Sequence, residues 1–125
     1  MPHIVLEYSD NLPPLVDYSA LFGEVHQALN LIGGIKLENC KSRARVASPF
    51  YVGDGNSANA FIHLDIEFVK GRSDEVKKAI GAQCLSLLQK YYQKQLNEHL
   101  QITVKIDDIA LDFYFKYPEG TLNYR

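Results

Sequence analysis

Residues 60–77 read AFIHLDIEFVKGRSDEVK, and this stretch decides the fold. Ala60, Ile62, Leu64, Ile66 and Phe68 alternate with Phe61, His63, Asp65 and Glu67. Successive side chains of a strand point to opposite faces, so the alternation predicts a strand with one apolar and one largely polar face. Gly71-Arg72 breaks the strand. Ser73 is placed to cap a helix, and Asp74 and Glu75 complement the positive end of its dipole. Val76, Ile80, Cys84, Leu87, Leu88 and Tyr91 then share one helical face, and the helix is expected to end near Asn97. Beyond it Ile102, Val104 and Ile106 alternate with Thr103, Lys105 and Asp107, a second strand.

The first half repeats this plan. Residues 3–8 are apolar and β-prone, and the turn Ser9-Asp10-Asn11 follows, reinforced by Pro13 and Pro14. Asp17 or Ser19 can cap a helix whose apolar positions are Leu21, Val25, Ala28, Leu29 and Ile32. Gly33 and Gly34 end it, because glycine tolerates the left-handed conformation at a helix terminus. Residues 37–46 read as a strand rich in cations. Residues 48–59 hold Pro49, Gly53, Asp54, Gly55 and Asn56 and read as a turn-rich connection, with a short hairpin expected at Asp54-Gly55.

Strand–helix–strand therefore occurs twice. A crossover between parallel strands is right-handed in nearly all proteins, so both helices fall on the same side of the sheet. The expected fold is α/β (α+β): two tandem βαβ units forming a four-stranded mixed sheet with two helices on one face. One domain is expected, divided into a half at 2–47, a connection at 48–59, a half at 60–111 and a C-terminal arm at 112–125. The arm carries Phe113, Tyr114, Phe115 and Tyr117, four aromatics in five residues, which suggests an intersubunit contact.

Composition narrows the function classes. The chain has 125 residues, 46% hydrophobic and 22% charged, with a net charge of −2 and no block of one sign. That balance gives no electrostatic support for nucleic acid or a membrane surface as partner. The first apolar run is far too short to span a bilayer, and no signal peptide is read at the start. Cys40 and Cys84 have no motif spacing, so a cytoplasmic protein with reduced, structural thiols is expected.

Two segments carry a family resemblance: the start, MPHIVLEYSDN at residues 1–11, and Gly71-Arg72-Ser73 at a strand end that opens a helix. The second resembles the strand-end arginine motif of the 4-oxalocrotonate tautomerases. The whole chain, from Pro2 to about Leu111, is similar to the 5-carboxymethyl-2-hydroxymuconate delta-isomerases of the tautomerase superfamily, which fuse two such units in a fold like that of macrophage migration inhibitory factor. The resemblance implies a homotrimer with no metal or organic cofactor. It implies an isomerase that transposes a C=C bond by a 1,3- or 1,5-proton shift, taking a dienol to its conjugated ketone in homoprotocatechuate degradation. Its substrate would be a small unsaturated 2-hydroxy polycarboxylic acid, and its base the amino group of Pro2 once Met1 is removed.

The residue types suit that chemistry. A proton shift on a dienol needs a base poised near neutral pH, and an α-amino group lies much closer to that window than a lysine. Burial and nearby cations both disfavour an ammonium. While Met1 is attached, the Pro2 nitrogen is an amide without useful basicity. A polyacid needs fixed cations: Arg72 stands just ahead of a helix N-terminus, and Lys41, Arg43 and Arg45 are two apart on one strand face. The resemblance matches Arg43 to the second arginine of an Arg-Ser-Arg run but sets Lys41 where the first stands. Lysine keeps the charge and loses the two-pronged grip on a carboxylate. His63, Asp65 and Glu67 share a strand face but lack a second ligand cluster, so no metal is expected there. His3 and His26 stand singly and read as structural. Two alternatives stay open: another tautomerase-superfamily enzyme on a different 2-oxo acid, such as a keto–enol tautomerase or a dehalogenase, or a non-catalytic trimeric binding protein.

Overall fold

In a computed structural model, which describes residues 1–15 and 17–118, the chain runs β1 (His3–Ser9), α1 (Tyr18–Gly33), β2 (Lys41–Ala47), β3 (Ala60–Val69), α2 (Asp74–Tyr91) and β4 (Leu100–Ile109). The sheet order is β2-β1-β3-β4. β1 pairs parallel with β2, β3 pairs parallel with β4, and the two halves meet through the antiparallel pair β1–β3. The mixed sheet and the two helices on one face are as the repeat requires.

Burial follows the alternation. Ile4 and Leu6 of β1, and Ala60, Ile62, Leu64, Ile66 and Phe68 of β3, are buried beneath the helices. They meet Leu21, Val25 and Leu29 of α1 and Ile80, Cys84, Leu87 and Leu88 of α2. Each such side chain contributes roughly 1.5–3 kcal/mol of transfer free energy. The helix ends use local polar groups. The Asp17 carboxylate accepts the Ala20 N–H at 2.8 Å, and Ser73 Oγ accepts the Val76 N–H at 3.2 Å. Gly34, at φ 66°, ends α1 in the left-handed conformation.

Two boundaries and one turn differ from the sequence expectation. The strand expected over 37–46 begins only at Lys41, because Leu37–Asn39 form a 3-10 turn in which the Cys40 N–H bonds Leu37 O. The helix expected to reach Asn97 ends at Tyr91, then a 3-10 turn follows at Gln93–Gln95; Tyr92 is still buried in the core, but Leu96, one turn on, is exposed. No hairpin forms at Asp54-Gly55. There the Asp54 carboxylate accepts from the Asn56 N–H and the Asn59 side chain, and the Gly55 N–H bonds Val52 O, so side chains and a turn satisfy what a ladder would have. The C-terminal arm is described as far as Pro118; its remainder, 119–125, lies outside the described residues.

Candidate active site

The antiparallel centre of the sheet decides which segments meet at the chain start. His3 pairs with Lys41 on one side and with Glu67 on the other. Pro2, one residue earlier, therefore sits between the start of β2 and the end of β3, the segment that leads to Arg72. Met1 and Pro2 are both buried, and the Lys41 N–H donates to Pro2 O at 3.1 Å.

The electrostatics of this corner disfavour a positive amine. The Met1 amino group is held at about 5, down from the ordinary 8.0, first by burial. The hydrogen bond and charge of Lys41 come next, then the charge of Lys116, while Cys40 opposes them weakly. An amine with so low a value is neutral at pH 7. Pro2, one residue further in, is buried in the same corner.

The sequence-derived cations are not equivalent. Lys41 is at the N-terminus, its Nζ also donating to Asn39 O at 2.8 Å. Arg43 is the next residue on the helix-free face and donates through Nη1 to His3 Nδ1 at 3.1 Å. Arg45 shares that face, opposite Glu7 in the strand register, and four residues of strand place it about 13 Å beyond Lys41. Arg72 lies on the far side of Pro2, three residues past the end of β3. Its Nε donates to Gly33 O at 2.8 Å, capping the negative end of α1, and its guanidinium stacks 5.3 Å from the Phe68 ring centroid. A side chain at Gly33 would press against Ile80 at 3.1 Å, so glycine there lets α1, α2 and Arg72 converge.

Three residues at this end were not singled out from the sequence. His3, read as structural, contacts both Arg43 and, through Nε2 at 2.8 Å, Tyr114 Oη. Tyr114, assigned with its aromatic neighbours to a subunit contact, turns back onto its own chain, its ring 5.9 Å from that of His3. Lys116 follows it close enough to act on the terminal amine. Strand parity carried one signal: residues 3, 41 and 43 all face away from the helices. Nothing local tells where residue 114 goes.

Other candidates are placed elsewhere. His63 Nδ1 bonds Thr103 Oγ1 at 2.6 Å, and Asp65 faces Lys105 at 4.0 Å, both within the helix-free face. Among the described residues no group of three or more His, Cys, Asp or Glu side chains is arranged to hold a metal. Burial raises the Cys40 thiol to about 11 and the Cys84 thiol to about 12, so both are poor nucleophiles at neutral pH. Among the described residues no helix is long and apolar enough to cross a membrane.

Comparison with known proteins places this corner in context. Residues 2–119 match the family model for 5-carboxymethyl-2-hydroxymuconate isomerase. The chain is 26% identical over 125 residues to the 5-carboxymethyl-2-hydroxymuconate Delta-isomerase of Escherichia coli, covering 100% of this chain and 93% of that one. It superposes on a 5-carboxymethyl-2-hydroxymuconate isomerase from Deinococcus radiodurans R1 with a TM-score of 0.83 and 27% identity, covering 99% of this chain and 94% of the other. A fused 4-OT symmetric trimer shares the fold at a TM-score of 0.75 with 13% identity, over 98% of this chain and 100% of that one.

Proposed function

The chain belongs to the 5-carboxymethyl-2-hydroxymuconate isomerase family and is an isomerase, and on that premise we propose that Pro2, freed of Met1, is its catalytic base. The observation that carries the proposal is the buried chain start beside Lys41 and Lys116, where an amine is held well below its ordinary pKa. A neutral secondary amine there takes the proton of the 2-hydroxyl of a dienol. The O–H electron pair becomes the C=O π bond, the C=C bonds shift along the chain, and the ammonium returns a proton to a carbon further on. The base is regenerated, and no redox partner enters the balance.

The substrate is an unsaturated 2-hydroxy polycarboxylic acid, of which 5-carboxymethyl-2-hydroxymuconate fits the family best. Arg43 and Arg72 bind its carboxylates from opposite sides of Pro2, with Lys41 assisting beside the base. Arg45 lies too far along the strand to share a carboxylate with Lys41 and can reach only a distal acid group. Lysine at position 41 favours a second reading: the same chemistry on a different 2-oxo acid, whose nearer carboxylate needs a point charge rather than a fork.

A homotrimer is part of the reading. Phe113, Phe115 and Tyr117 are at least 82% exposed, and among the described residues both helices pack on the other face of the sheet. Exposed aromatics in a row call for burial by a partner, and the fused 4-OT relative is a symmetric trimer. With Cys40 and Cys84 as free thiols, the cytoplasm is the proposed location. The test separates processed chain from chain retaining Met1 by intact mass and assays both on 2-hydroxymuconate. The processed fraction should carry nearly all the activity. Equal activity in the two fractions removes Pro2 as the base.

A further inference from the structure

His3 has an assignable protonation state, and it leads to a substrate contact. Arg43 Nη1 is only ever a donor, so His3 Nδ1, 3.1 Å away, accepts. A ring that accepts at Nδ1 is neutral and carries its proton on Nε2. Nε2–H therefore donates to Tyr114 Oη at 2.8 Å. The tyrosine oxygen is then the acceptor of that bond, and its own O–H is left to donate elsewhere. A protonated His3 would set donor against donor at Arg43 and dismantle the chain.

From this geometry we propose that Tyr114 is a substrate-binding residue, donating its O–H to the carboxylate that Arg43 holds, and that neutral His3 is the positioning residue that sets both donors. The proposal rests on the assignment of Arg43 to a substrate carboxylate. A planar carboxylate takes the remaining N–H groups of the Arg43 guanidinium on one side and a hydroxyl on the other. The edge-on contact of the two rings, at 64° and 5.9 Å, fixes the tyrosine over His3 rather than in solvent. Tyr114 thus supplies a neutral donor beside Arg43 that selects acids long enough to reach from Pro2 to Arg43.

The test is a double-mutant cycle on correctly processed protein, read first as calorimetric binding of muconate, an unreactive diacid, and second as kinetics on 2-hydroxymuconate. Tyr114→Phe keeps the ring and should weaken muconate binding about three- to tenfold, the range of one hydrogen bond, and raise KM with kcat within about twofold. In an Arg43→Ala background the same change should cost less than about twofold. Equal losses in both backgrounds, or no loss in either, overturn the proposal, as does wild-type protein that fails to bind muconate at millimolar concentration. Binding does not need the base, so the cycle stays readable if Pro2 fails as the catalyst. Nitrogen NMR of His3 gives a second reading independent of the variants. The groups facing the ring are Lys41 and Arg43 of β2, Glu67 of β3, Tyr114 of the arm and the terminal amine. Burial comes first, and the charges of Arg43 and Lys41 add to it in lowering its pKa, so the neutral Nε2–H form should persist at neutral pH. An imidazolium at pH 7, or the Nδ1–H tautomer, overturns the assignment.

Discussion

Replacing Lys41 with methionine keeps the aliphatic stem and removes the cation nearest the chain start. In the chain with Met1 attached, Lys41 hydrogen-bonds the terminal amine. Removal of Met1 moves the amine one residue inward, so a separation of about 7 Å from the ammonium is a fair working value. Two unit charges at that distance interact by about 2.4 kcal/mol at an effective dielectric of about 20. Lys41 is exposed, and water and salt remove about half of this. About 1.2 kcal/mol is left, which is close to one pKa unit. The sign is definite: a cation destabilises the protonated amine, so its removal raises the amine pKa. The neutral fraction of the base rises with pH. In the pH profile of kcat/KM on 2-hydroxymuconate, the acid limb of the native enzyme should therefore lie below the ordinary α-amino range of about 7.7–8.0. In Lys41→Met that limb should move up by about one unit, so the variant loses about tenfold more activity below the limb than on the plateau. A limb that stays within about 0.3 unit of the native one, with only the plateau lowered, would refute the electrostatic role and leave Lys41 as a substrate contact.

Arg72→Ala and Arg43→Ala should each lower kcat/KM by about 10–100-fold, the range of one charge-assisted hydrogen bond, and unchanged steady-state kinetics in both would sink the cation assignment. Pro2→Ala leaves a primary amine after processing, so activity should fall without vanishing, whereas chain that keeps Met1 should be nearly inactive in the same assay. Light scattering at micromolar concentration should report a trimer, and a monomer there would remove the proposed burial of Phe113, Phe115 and Tyr117. Leu64→Ala, in the fully buried centre of β3, should cost about 2–5 kcal/mol by chemical denaturation, and a loss under about 1 kcal/mol would contradict the packing described.

Local periodicity was enough for the architecture. The alternation across 60–68 and the helical stripe from Val76 to Tyr91 are properties of neighbouring residues, and both translate directly into which face is buried. The same is true of the caps: Ser73 and Asp17 act within three residues of themselves, so their roles are legible without a fold. The common face of Lys41, Arg43 and Arg45 also followed from parity alone. What parity could not supply was distance to Pro2. That depends on register, and the pairing of His3 with Lys41 and of Glu7 with Arg45 sets the three cations at different distances from the base. The start of β2 and the end of α2 are not legible locally, because a 3-10 turn and a helix end depend on whether a neighbouring surface exists to cover the next apolar residue. The link from Arg43 through His3 to Tyr114 joins residues 111 positions apart. Contacts at that separation arise only when the sheet order brings the start of β1 under the arm that follows β4, and no local pattern encodes that meeting.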